Sequence, residues 1–306
     1  MRRTLVSLLT AGALVLTAGC GGGGDPLEGG DKEGGASGTI TVGAANFPEN
    51  QLLAEIYAQV LEAEGVKVSR KMNVGTREAY IPALKDGSID LLPEYTGSLL
   101  EYQKKGHTED ATDPEKVYEQ AQASLPKGFE LLDMSSAEDK DAVVVTQQTA
   151  DKYDLTLLSD LKPHAPKMVL GGPPEWEKRY NGVEGLREVY GLKFKNFKKL
   201  DVAGPISVKA LKDGQVDAVN LFTTQSAIEQ NNFVALEDPE NLYIAQNVTP
   251  LINSEKADAK TKKALNAVSA KLTTDKLKKL VAEVEVDKKD AATVAKQFID
   301  DNGLAK

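Results

Sequence analysis

The chain has 306 residues, long enough for two lobes of ordinary domain size, and the composition of a soluble globular protein. Its formal net charge of −9 argues against a nucleic-acid partner, which would need a basic face, and suits cationic or zwitterionic ligands. The single cysteine, Cys20, excludes an intramolecular disulfide and a thiolate metal cluster.

Residues 1–20 read as a secretory leader. Arg2 and Arg3 form a basic start, and residues 5–16 an apolar stretch too short for a lasting membrane helix. The stretch ends Leu16-Thr17-Ala18-Gly19-Cys20 and resembles the bacterial lipobox, with its leucine one residue further out than is usual. That resemblance implies lipidation of Cys20; the plainer alternative is an ordinary leader with an accidental cysteine. Residues 21–38 are glycine-rich and almost free of apolar side chains, so they form a flexible tether and no core.

Residues 39–43 alternate as a strand. Asn46 is expected to cap the next helix, with Glu49 three residues on as its capping-box partner. Leu52, Leu53, Ile56, Tyr57, Val60 and Leu61 make that helix's buried stripe, and Gly65 ends it. A strand over 66–74 and a helix over 76–84 follow. Asp113 and Pro114 open a helix over 114–123. Strands are expected at 129–132 and 142–145, the second fully apolar and able to cross between lobes. Residues 168–174 read as a strand ending in a Gly/Pro loop, and 183–190 as a helix closed by Gly191. Residues 242–252 should return the chain to the first lobe. Residues 261–299 read as helices. Leu265, Val268 and Leu272 form one buried face, and Leu277, Leu280, Val281 and Val284 another.

One phrase occurs twice. Ala83-Leu84-Lys85-Asp86-Gly87-Ser88-Ile89-Asp90 returns as Ala210-Leu211-Lys212-Asp213-Gly214-Gln215-Val216-Asp217. In each place it reads as a helix, a glycine cap, a short buried strand and a loop. Chance between two common junctions is the plain alternative; the spacing of about one lobe favours two similar α/β lobes. Ligands in such lobes sit outside the carboxyl ends of the strands, which puts Tyr95 and Thr96 opposite Phe222 and Thr223 across one cleft.

Several segments resemble substrate-binding lipoproteins of ABC importers for glycine betaine, choline, carnitine and related osmoprotectants. They are Asn46-Phe47-Pro48-Glu49-Asn50-Gln51, Gly75-Thr76-Arg77-Glu78, Pro93-Glu94-Tyr95-Thr96-Gly97, Pro174-Glu175-Trp176 with Arg179, and Ala245-Gln246-Asn247-Val248 with Pro250. The resemblance runs from Thr39 onward. It implies an α/β, two-lobed periplasmic-binding-protein-like fold of type II, with two crossovers forming a hinge. Lobe one would comprise 39–143 and 245–306, and lobe two 144–244. It also implies a monomer held outside the cytoplasm by a lipid anchor on Cys20. Its partners would be a small solute, an ABC permease and its ATPase, with no nucleic acid and no cofactor.

A quaternary ammonium has no N–H, so aromatic faces hold it by cation–π attraction, while a ligand carboxylate wants arginine or helix amides. The resemblance points to Asn46, Thr76, Arg77, Tyr95, Thr96, Asp141, Trp176, Arg179, Asn220, Phe222, Gln246 and Asn247 as ligand-binding. Asp141 and Gln246 stand where tyrosines of the family's cage are expected. Asp141 could pair with a cation, and Gln246 and Asn247 could hydrogen-bond a polar ligand. Each residue also has a structural reading: Tyr95 and Phe222 as core, Trp176 as a surface cap, Arg179 as a salt-bridge partner, Thr76, Arg77 and Asn46 as helix-capping residues. An exported enzyme is a weaker alternative, since His107 and His164 lie away from these segments and no Gly-x-Ser-x-Gly or metal-spaced motif occurs. A sensor with the same two-lobe closure stays open.

Overall fold

A computed structural model describes residues 38–104 and 112–305. Cys20, residues 21–37 of the glycine-rich tether and His107 lie outside the described residues. The first half contains β1 (Ile40–Ala45), α1 (Pro48–Ala63), β2 (Val68–Gly75), α2 (Arg77–Lys85), β3 (Leu91–Tyr95), α3 (Thr96–Lys104), α4 (Pro114–Ser124) and β4 (Phe129–Leu131). The chain then enters β5 (Asp141–Thr146), α5 (Gln147–Tyr153), β6 (Val169–Gly172), α6 (Gly185–Val189), β7 (Asn196–Lys199), α7 (Pro205–Lys212), β8 (Ala218–Phe222), α8 (Ala227–Gln230) and β9 (Phe233–Ala235). It ends with β10 (Val248–Asn253), α9 (Ala259–Ser269), α10 (Thr274–Glu285) and α11 (Ala291–Asp301).

These strands form two sheets of the same design. The orders are β2-β1-β3-β10-β4 and β7-β6-β8-β5-β9. In each sheet the first three strands are parallel and the fourth runs antiparallel to both its neighbours. That fourth strand is the one that has just arrived from the other half. The expected division at 143/144 falls inside β5, all of whose pairing is with β8 and β9 of the second sheet.

The repeated phrase does the same job twice. Gly87 (φ +76°) and Gly214 (φ +68°) take the left-handed turn after α2 and α7, a conformation that strains any side chain. Asp90 then accepts from the Thr41 N–H at 2.8 Å and donates its own N–H to Thr41 O at 2.7 Å. Asp217 pairs with Val169 in the same way, at 2.7 and 2.9 Å. Each copy ties the returning chain to the first residues of its sheet's central parallel strand.

The two connecting segments lie side by side. Ser135 N–H donates to Val248 O (2.8 Å), Val248 N–H to Ala137 O (3.0 Å) and Asp139 N–H to Gln246 O (3.2 Å). A short antiparallel ribbon thus carries both crossovers.

Two expectations need correction. Asn46 does not cap α1: Pro48 at the first helical position sets the start, which puts Phe47 at the cap with no side-chain bond. Asn50 bridges β1 to β3 instead, accepting from Ala45 N–H (2.7 Å) and donating to Pro93 O (3.0 Å). The helix expected over 183–190 is only Gly185–Val189, because Gly182 (φ −130°, ψ −143°) breaks the turn before it. The carboxyl-terminal helices pack on α1 as their stripes require, although Val284 is only half-buried.

Candidate functional site

The carboxyl ends of β1, β3, β6 and β8 meet around a cavity of about 60 Å³. The first half contributes Ala45, Asn46, Phe47, Thr76, Arg77, Tyr80, Tyr95 and Ser98. The second half and the crossover contribute Asp139, Asp141, Pro173, Glu175, Trp176, Arg179, Asn181, Val202, Asn220 and Phe222.

Part of the cavity lining is aromatic. The Phe47 ring lies 6.1 Å from Tyr95 and 5.2 Å from Phe222, so it bridges the two halves. Trp176 is 1% exposed and rests near Phe197, with ring centroids 6.4 Å apart. Tyr95 is fixed by its hydroxyl, which donates to Glu49 at 2.7 Å. Thr224, from the second half, donates to the other oxygen of Glu49 at 2.6 Å. Burial raises the Glu49 carboxyl, and burial together with Glu49 raises Asp139 well above the usual carboxylate range. Two buried carboxyls in hydrogen-bond reach share a proton rather than both ionising.

The rest of the lining is mostly polar. Asp141 accepts from Asn220 Nδ2 (2.7 Å) and Asn181 Nδ2 (2.8 Å). Burial raises its carboxyl, opposed by the Asn220 bond and by Arg179 and Arg77. Arg77 makes a two-pronged pair with Glu94, at 3.0 Å from Nε and 2.6 Å from Nη2. Arg179 does the same with Glu78, at 3.0 and 2.7 Å, and so joins the halves across the cleft mouth. Although partial burial works against it, Arg179 draws the Glu78 carboxyl down to about 2. Each guanidinium leaves Nη1 outside these pairs and so keeps donors for a further acceptor.

Nine of the twelve sequence-predicted ligand residues meet here: Asn46, Thr76, Arg77, Tyr95, Asp141, Trp176, Arg179, Asn220 and Phe222. Thr96, Gln246 and Asn247 do not line the cavity; their hydrogen bonds go to the crossover segments and the start of α3. Thr96 Oγ1 donates to Ala245 O (3.2 Å) and accepts from Asn247 N–H (3.1 Å). Gln246 caps the start of α3 through Ser98 N–H (2.8 Å) and Ser98 Oγ (2.9 Å). Asn247 donates to Ser135 O (3.0 Å). Sequence reasoning missed Phe47, Tyr80, Ser98, Asp139 and Asn181. Two of them carried a signal: Asp139 lies two residues before Asp141, and Tyr80 one turn after Thr76.

Glu101, on α3 one turn beyond Ser98, borders the outer cleft with Tyr180 and Asn181. Neither of its oxygens has a hydrogen-bond partner. Burial, with Asp141 adding to it, pushes its carboxyl up to about 8 against the pull of Arg77 and Arg179. The raised carboxyl stabilises the fold fully below the unfolded value near 4.3 and progressively less as pH climbs toward 8. Stability should therefore fall across this window, with a slope of at most about 1.4 kcal/mol per pH unit from this group. Urea unfolding from about pH 5 to 8 checks this; Glu101→Gln should flatten the slope, and an unchanged slope would refute it.

Among the described residues, no cluster of His, Cys, Asp and Glu is arranged to hold a metal ion, and no helix is long and apolar enough to cross a membrane.

Residues 38–301 match the family described as the substrate-binding domain of ABC-type glycine betaine transport systems. The chain is 27% identical over 275 residues to the carnitine transport binding protein of Listeria monocytogenes, covering 86% of this chain and 87% of that one. It is 26% identical over 283 residues to a glycine betaine-binding protein of Escherichia coli, covering 89% and 93%. Among solved structures, a glycine betaine/carnitine/choline ABC transporter protein superposes with a TM-score of 0.68 at 22% identity, over 87% of this chain and all of that one. That likeness shows the two-lobed fold.

Proposed function

The chain belongs to the family of substrate-binding domains of ABC-type glycine betaine transport systems and is the solute-binding component of such an importer; from that premise we propose that it traps a small quaternary-ammonium solute in the cavity between its two sheets. The observation that carries this reading is one composite wall. Phe47, Tyr95, Trp176 and Phe222 stand beside Asp141 in a space of about 60 Å³. Aromatic faces attract an alkylated cation that cannot donate a hydrogen bond, and Asp141 supplies the opposite charge. Arg77, Arg179, Thr76 and Asn46 would receive a ligand carboxylate, while Asn220 and Asn181 hold Asp141 in place.

The two sheets are the two lobes, and the paired crossovers are the hinge. Ligand stabilises the closed state only through contacts that the open state lacks. Phe47 against Phe222, Glu78 with Arg179 and Glu49 with Thr224 join the two sheets in the protein itself, and opening the cleft would break them. The leader and Cys20 fit an exported chain tethered to the membrane by lipid, acting as a monomer that delivers its solute to the permease. Binding without turnover is its activity.

Calorimetric titration with glycine betaine, choline and carnitine tests the reading, with Trp176 fluorescence in parallel. Saturable binding of at least one is expected, and silence from all three would overturn the solute class. In the same assay Tyr95→Ala should weaken binding by about 0.5–2 kcal/mol, the worth of one cation–π wall. An unchanged affinity would remove Tyr95 from the cage.

A further inference from the structure

We infer that the solute carries a hydrogen-bond donor, a hydroxyl or an N–H, in addition to its alkylated cation, and that Asn220 and Trp176 read it. This rests on the solute class proposed above and narrows it.

Two buried polar atoms in the cavity wall have no partner. Asn220 is 0% exposed, and its Oδ1 accepts no hydrogen bond. Trp176 is 1% exposed, and its Nε1–H donates to nothing. Both residues line the cavity. They are also neighbours: a Cβ on Gly172 would lie 3.1 Å from Trp176 Cε3 and 3.4 Å from Asn220 Cβ. The Asn220 amide cannot turn to hide its oxygen. Its Nδ2 is committed to Asp141 Oδ1 at 2.7 Å, and a flip would set carbonyl against carboxylate.

Buried donors and acceptors left unpaired are costly, and almost all find partners. Here an unpaired acceptor and an unpaired donor belong to two residues that line the same cavity. A ligand hydroxyl can supply either partner, donating to Asn220 Oδ1 or accepting from Trp176 Nε1. A ligand N–H satisfies the acceptor alone. A trimethylammonium carboxylate with no other polar group offers no donor and leaves Asn220 unpaired. The arginines do not change this, since they supply donors and a ligand carboxylate supplies acceptors. A site built to pair a ligand hydroxyl discriminates strongly against the analogue that lacks it, because its own polar atoms are then stranded.

The test is a set of matched pairs titrated into the full protein. Choline is set against propyltrimethylammonium, which has a methyl in place of the hydroxyl, and carnitine against γ-butyrobetaine, which lacks the hydroxyl. Histidine betaine against phenylalanine betaine does the same for a ring N–H. In at least one pair the donor-bearing member should bind at least about tenfold tighter. For a hydroxyl pair, Trp176→Phe should then weaken the hydroxyl member more than its partner, narrowing the ratio, because both lose an indole face but only one loses the Nε1–H; a purely packing role would shift both alike. Equal affinity within every pair overturns the inference while the quaternary-ammonium class stands. No binding by any member, or by glycine betaine, overturns both. The native ratios decide the matter even if the variant fails to fold.

Discussion

Glu94→Ala should cost about 3–5 kcal/mol of folding stability, because it strands a buried charge. Glu94 is fully buried and Arg77 is 7% exposed. The carboxylate accepts two N–H groups of Arg77, the Tyr80 hydroxyl at 3.0 Å, and the backbone N–H of Tyr95 at 2.9 Å. It therefore holds the start of α2 against the end of β3, the two elements that bring Thr76 and Tyr95 to the cavity. Truncation would leave a guanidinium, a hydroxyl and an amide without their acceptor, in a site that admits little water. Glu94→Gln keeps one acceptor oxygen and loses the charge, so it should fall between the two. Urea unfolding of the three proteins measures this. An alanine variant within about 1 kcal/mol of the parent would mean that Arg77 finds another route to solvent, as exposed pairs do.

The sequence exposes this framework better than it exposes the cavity. The twin phrases ending in Asp90 and Asp217 announce two like halves, since a helix stop, a left-handed glycine and a buried strand leave a pattern in residue types. The rule that ligands sit beyond strand ends then finds Tyr95 and Phe222 without any coordinates. What it cannot supply is which way a polar side chain turns once both halves meet. Gln246 and Asn247 are polar residues beside a strand, as ligand residues would be, yet their bonds go to Ser98 and Ser135 because the crossovers run together. Asn181 carries no local mark at all. It reaches Asp141 only because the chain kinks at Gly182, just past Arg179. The shift of the α1 cap from Asn46 to Phe47 was legible in Pro48, whose fixed φ suits the first helical position.

Asp141→Asn should weaken binding of a cationic solute by about 2–5 kcal/mol, the range for removing one partner of a buried charge pair. In the parent, burial raises the Asp141 carboxyl, and two asparagine amides with two nearby arginines only partly hold it down. A cation beside it favours the ionised form, so ligand and carboxylate stabilise each other's charge, and the gain is reciprocal. The variant keeps the size of the side chain and removes that charge. It also offers one acceptor where Asn181 and Asn220 both donate, so one of them must reorient. Titration with quaternary ammonium compounds of increasing positive charge separates the two effects. If charge is the cause, the loss should be largest for a solute with no carboxylate and smaller for a zwitterion whose own anion already balances the cation. Equal losses for both would assign the effect to the displaced asparagine. Unaltered binding of both would move the cation away from Asp141 and leave it to the aromatic rings alone.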